Sequence, residues 1–199
     1  MTPSLRTENL TIRFGGHVAV NRVTCAFQAG ELTVIVGPNG AGKTTWFNLV
    51  SGQLRPSEGK VVKGDRDISG LSPSARAKAG IGRAFQLTNL FPKLSVLENV
   101  RLAVQARRGA GPRIFTRAAS LTGLRDEAQA YLESARLADV AGYPASALPH
   151  GDQRKLEVAM LIAMQPDVFM FDEPTAGMSV DEAPVILDLI ASIKKDSSK

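Results

Sequence analysis

One stretch limits the possible folds more than any other. The apolar run Leu32-Thr33-Val34-Ile35-Val36 leads into Gly37-Pro38-Asn39-Gly40-Ala41-Gly42-Lys43-Thr44, and a helix-like segment follows from Lys43 to Ser51, stopped by Gly52. The central eight residues fit the phosphate-loop pattern G-x-x-x-x-G-K-[ST]. Glycines let a backbone wrap an anion with its N–H groups turned inward, in dihedrals that a Cβ disfavours. A helix starting at the loop's end adds about half a positive charge there. Lys43 supplies a full charge for the β- and γ-phosphates, and the Thr44 hydroxyl is a candidate Mg²⁺ ligand. Asn39, Gly40, Ala41, Gly42, Lys43, Thr44 and Thr45 are therefore candidate nucleotide-binding residues. The apolar run reads as a short strand buried in a central sheet. This loop alone leaves kinases, GTPases, helicases and transport ATPases open.

The rest of the chain surrounds that unit with recognisable pieces. Leu5 to Phe27 alternate apolar and polar about Gly15-Gly16 and predict paired strands. Phe14 closes the first of them, where a core aromatic is one reading, and Val20 follows nearby. A turn at Pro56–Gly59 precedes a strand at Lys60–Lys63, Ser72-Pro73 opens a short helix ended by Gly80, and Ile81 to Gln86 reads as a strand. Ser95 and Glu98 form a capping box for a helix to about Arg108. Residues 109–123 read as a loop or insertion, and helical spacing returns from Leu124 to Leu137. A helix over about 151–164, the strand Val168–Phe171 and a helix over about 180–195 complete the pattern.

Composition removes other classes. A membrane-spanning helix needs roughly 20 apolar residues in succession. The longest candidate, Leu156 to Phe171, is broken by Glu157, Gln165, Pro166 and Asp167. The first residues lack the pattern of a secretory signal. A single cysteine, Cys25, excludes an internal disulfide framework and reads as a buried strand residue. The formal charge of +5 is scattered rather than striped with aromatics, which argues for a solvated surface and against a nucleic-acid partner.

Three more segments narrow the choice. Phe85-Gln86 follows a strand about forty residues after the loop; Leu148-Pro149-His150-Gly151-Asp152-Gln153 precedes a helix; and Val168-Phe169-Met170-Phe171 ends in Asp172-Glu173. With the phosphate loop, they resemble the ATP-binding cassettes of ABC transporters. The resemblance implies an α/β, RecA-like P-loop NTPase core with an N-terminal antiparallel β subdomain and an inserted α-helical subdomain. Residues 1–86 and 149–199 would form the core with its β subdomain, and 87–148 the helical insertion.

The resemblance also implies roles. Phe14 would stack on adenine, with Val20 lining the same pocket. Gln86 would reach Mg²⁺ and the attacking water, Asp172 would attend the metal, and Glu173 would act as general base. Leu148, Pro149, His150, Gly151, Asp152 and Gln153 stand where the family carries L-S-G-G-Q, the segment that caps a γ-phosphate bound by the opposite protomer. Proline brings neither N–H nor hydroxyl, so one donor is lost there. His150 also reads simply as a surface residue beside a helix start. Ser179 stands where an aspartate is frequent.

Phe14–Val20, Arg83-Ala84-Phe85-Gln86, the insertion after Arg108 and the Gly-Asp-Gln-Arg form of the signature resemble the subunits serving branched-chain amino acid and urea uptake. ATP and Mg²⁺ are the implied cofactors. The implied partners are membrane permease subunits, a second ABC ATPase and, indirectly, a periplasmic or extracellular solute-binding protein. The implied location is the cytoplasmic face of the inner membrane. In the family, a further strand and a switch histidine follow. Lys199 comes first here and the two histidines, His17 and His150, lie elsewhere. The expectation is thus a shortened chain that binds ATP and hydrolyses it slowly. The rival readings are a soluble ABC ATPase unconnected with transport and a non-catalytic ATP-binding module.

Overall fold

The strand pattern of the first thirty residues closes on itself as a hairpin. In the computed structural model, which describes residues 4–84, 90–109, 118–176, 178, 180 and 183–196, Leu5–Phe14 (β1) pairs antiparallel with His17–Phe27 (β2) across the turn at Gly15. Glu58–Lys63 (β3) pairs with the other edge of β1, and the short Arg66–Asp67 (β4) pairs with β3. The sheet order is β2-β1-β3-β4. Helix α1 (Lys43–Ser51) packs with it, so Leu5, Leu10, Ile12, Val20, Trp46, Leu49, Val50 and Val61 share one core. Ile81–Ala84 (β5) and Val168–Phe171 (β6) form a second, two-stranded sheet, and they bring Ile81 and Met170 into the same core. Cys25 is half-buried on β2, its sulfur 3.1 Å from the Thr7 hydroxyl, and burial raises its thiol pKa.

The described residues divide into two compact units. One comprises Met1–Arg83 with Asp167–Asp172, the other Ala84–Pro166 with Glu173–Ser197. In the first, helix α2 (Pro73–Lys78) starts as its residues dictate: the Ser72 hydroxyl accepts the Ala75 N–H, and Pro73 occupies the first turn, where its missing N–H costs nothing. Helix α2 delivers Arg76, whose side chain is fully buried. Its guanidinium donates to the carbonyls of Leu49 and Val50 at 2.6 and 2.7 Å, Ser69 at 2.7 Å and Leu71 at 3.3 Å. The first two carbonyls belong to the last turn of α1, which has no following helical turn, and the Leu49 carbonyl also accepts the Gly52 N–H at 3.4 Å. Burial pulls the Arg76 pKa down, an effect that Asp67 partly counters.

Gly52 ends α1 in the left-handed region (φ 84°), and a Cβ there would lie 2.9 Å from Arg76 Nε. Gly52→Ala is therefore expected to cost about 1–3 kcal/mol, combining the left-handed penalty with displacement of the arginine. A fall in urea midpoint at constant m-value is the measurement that checks it.

The second unit is helical. Val96–Arg107 (α3), Ala118–Ser134 (α4), His150–Ala163 (α5) and Ala183–Asp196 (α6) bury Val96, Val100, Val104, Leu124, Leu132, Leu156, Ile186 and Leu189. Ser95 caps α3 by accepting the Glu98 N–H, but the Glu98 carboxylate pairs with Arg101 instead of closing the box. Asn99, fully buried, ties the preceding segment to α3 through the N–H and carbonyl of Phe91. Helix α4 starts six residues before the expected Leu124, so part of the stretch read as loop is helical.

The apolar run Leu32–Val36 departs most from expectation. It is irregular and solvent-exposed, with Val36 87 % accessible, whereas a buried central strand was expected. Apolar, β-branched residues favour a strand only where neighbours supply ladder hydrogen bonds, and no strand among the described residues pairs with this run.

Candidate nucleotide site

The loop after Val36 is shaped by its glycines. Ala41 N–H bonds to the Pro38 carbonyl at 3.2 Å, Gly40 takes φ 81° and Gly42 φ 86°. Gly42 admits no side chain on a second count, since a Cβ there would collide with the Ala19 carbonyl oxygen and sit 3.5 Å from Val20. Strand β2 thus buttresses the loop from behind, and buried Val20 meets it directly. The Lys43 ammonium donates to the carbonyls of Gly37 (2.6 Å) and Pro38 (3.0 Å), which holds it against the loop. Thr44 and Thr45 follow in the first turn of α1, half-buried.

This geometry suits a phosphate chain. Gly42 is the N-cap of α1 and provides no side-chain cap, and the first turn holds no acidic residue. The leading N–H groups and the positive end of the helix dipole are therefore left for an external anion. Phe14, last in β1, keeps its ring half exposed (50 %), so it is not a core aromatic.

Strand β6 ends at Asp172, whose carboxylate is almost wholly buried. Its partner is Arg83 on β5, with Nη2 to Oδ2 at 3.1 Å. The same guanidinium donates to Asn48 Oδ1 (2.6 Å), Ser51 Oγ (3.0 Å) and Gln53 Oε1 (3.2 Å) and lies over the Phe47 ring at 5.7 Å. Burial lowers the Arg83 pKa, and Asp172 pushes it back up. The motif Arg83-Ala84-Phe85-Gln86 marked this region in the sequence, but no role was expected of Arg83. A charged residue near the end of the otherwise apolar β5 was the available signal. Among the described residues no three acids, histidines or cysteines cluster as a metal cage. One buried carboxylate fits Mg²⁺, which keeps waters and shares its coordination with phosphates.

Glu173 comes next, solvent-exposed and at φ 50°, a left-handed conformation that costs a non-glycine residue roughly 1–2 kcal/mol. Its carbonyl accepts the Ala176 N–H in a turn. In the helical unit, Leu148 is buried and Pro149 is the N-cap of α5, just before its first turn. Gln153 turns back to the Leu148 carbonyl (2.9 Å), and Asp152 pairs with Lys155 (2.7 Å). His150 is exposed. Gln86 and Ser179 lie outside the described residues.

A glycine loop opening on an uncapped helix start, with a buried acid at the end of a core strand, defines a P-loop nucleotide-binding protein. Comparison with known proteins makes this specific. The family model "ABC transporter" matches residues 20–176. The branched-chain amino acid transport ATP-binding protein LivG of Escherichia coli K12 is 36 % identical over 96 % of this chain and 77 % of its own. Among solved structures, the ADP conformation of MJ1267, an ATP-binding cassette of an ABC transporter, superposes with TM-score 0.81 at 26 % identity, covering 99 % of this chain and 79 % of that one. The cassette MJ0796, a post-hydrolysis dimer bound to ADP and Pi, also gives 0.81 at 26 % identity, over 98 % and 84 %. This chain belongs to the ABC transporter family. Its fold is that of the family's ATP-binding cassettes, and its enzyme class is ATPase.

Proposed function

We propose that the chain is the ATP-hydrolysing subunit of an importer for branched-chain amino acids. The likeness to LivG over nearly the whole chain carries this reading. Among the described residues no helix is long and apolar enough to cross a membrane, so the subunit would sit at the cytoplasmic membrane face through permease subunits. A solute-binding protein would act at the other side, and nucleic acid has no part. In this reading the nucleotide-binding core draws on residues 1–86 and 149–199, the latter including α5 and α6 of the helical unit, and 87–148 is the helical subdomain that addresses the permease.

Lys43 and the N–H groups of residues 39–45 hold the phosphates, while Phe14 and Val20 receive the adenine. Thr44, Gln86 and Asp172 hold Mg²⁺, which when bound neutralises charge on the β- and γ-phosphates. Glu173 takes the proton from the attacking water. Two cassettes pair, which the dimeric MJ0796 supports, and in this reading they do so head to tail. Each then offers Leu148–Gln153 to the other's γ-phosphate. The start of α5 lacks a side-chain cap, which leaves its N–H groups for that contact. Lys155 offsets the charge that Asp152 brings to the same turn.

The test is Glu173→Gln, which keeps the shape of the side chain and removes the base. Turnover should fall about a hundredfold or more, and the variant should sediment as a dimer in millimolar Mg-ATP and as a monomer without nucleotide. A monomer under both conditions would refute the sandwich.

A further inference from the structure

The contacts of Arg83 tie together two parts of the nucleotide site that are distant in sequence. Its Nη1 is held by Asn48 and Ser51 of α1 and by Gln53 just beyond it, and its plane rests on Phe47 of the same helix. Its Nη2 holds Asp172 Oδ2 at the end of β6. Both charged side chains are nearly inaccessible to water, at 6 % and 4 %. Helix α1 carries Lys43 and Thr44 at its other end. A planar fork gripped on one side by a helix and on the other by a carboxylate sets the position of that carboxylate relative to the helix.

Given the reading of Asp172 as the Mg²⁺-facing acid, we propose that Arg83 is a positioning residue for the metal: it anchors the Asp172 carboxylate to the phosphate-loop helix so that Asp172 and Thr44 meet one Mg²⁺. Partners that orient a metal-ligating carboxylate typically contribute 10–100-fold to metal affinity. The Lys43 ammonium is held by carbonyls of its own loop, Gly37 and Pro38. Metal dependence and nucleotide dependence should therefore separate.

The experiment titrates Mg²⁺ at fixed ATP and pH, reading bound nucleotide, and repeats it with Mn²⁺ by electron paramagnetic resonance. Arg83→Met should raise the metal concentration for half-maximal effect about tenfold, while ATP affinity in EDTA stays within about twofold. Arg83→Lys, which keeps the charge and loses the fork, should fall between wild type and Arg83→Met. It decides the matter if the methionine variant does not fold. Asp172→Asn is run alongside. If Asp172→Asn shifts the metal midpoint and the Arg83 variants do not, the positioning role is wrong and the site reading stands. If Asp172→Asn leaves the midpoint unchanged, the reading of Asp172 fails and the proposal with it. Equal loss of affinity in EDTA would also overturn it, because a general structural defect would then be the cause.

Discussion

Exchanging Lys43 for alanine is expected to weaken ATP binding about a hundredfold and to leave the unfolding midpoint almost unmoved. A hundredfold is about 2.7 kcal/mol, within the range for losing hydrogen bonds between a full charge and an anion. Stability should hold because the ammonium's hydrogen bonds to the Gly37 and Pro38 carbonyls of its own loop are exposed. Such bonds exchange with water at little net cost. Isothermal titration with ATP at fixed ionic strength, paired with thermal denaturation, separates the two effects. Unchanged affinity would show that the triphosphate lies elsewhere, and the import reading would lose its chemical basis.

Arg76→Met should do the reverse. The arginine is fully buried and its guanidinium satisfies four carbonyls, two of them at the end of α1. Methionine fills much of the space but donates nothing, so several buried acceptors lose their partner at about 1–3 kcal/mol each. Relaxation and water entry recover part of that, which leaves an expected loss of roughly 3–5 kcal/mol. Relative to a typical domain stability of about 5–15 kcal/mol this is severe. Urea denaturation measures it. The fraction that remains folded should still bind ATP, because Arg76 lies at the end of α1 away from the phosphate loop. A loss below about 1 kcal/mol would mean that other donors replace the guanidinium.

The contrast between these two residues reflects how far each was legible in the chain. Lys43 stands in a pattern whose spacing carries its own physical reason. Arg76 sits in the unremarkable stretch Ala75-Arg76-Ala77 and gains its role only when α2 brings it beneath the end of α1. Arg83 is similar: it belonged to a recognised motif, but its pairing with Asp172 spans 89 positions of sequence. Local signals carried well where the interaction is local. Gly52 ended α1, Ser72 and Ser95 capped α2 and α3, and Val168–Phe171 formed the strand before the acids, all as expected. The run Leu32–Val36 shows the opposite limit, since its composition speaks for a strand and its neighbours do not provide one.

The sequence by itself determined the phosphate-binding chemistry, the family and most element boundaries, because glycine dihedrals, capping side chains and hydrophobic periodicity act within a few residues of where they are written. Only the tertiary structure decided which buried cations serve which carbonyls and carboxylates, that Val20 backs the loop at Gly42, and that an apolar run stays unpaired. Those outcomes depend on contacts between segments far apart in the chain, and no local pattern encodes the partner.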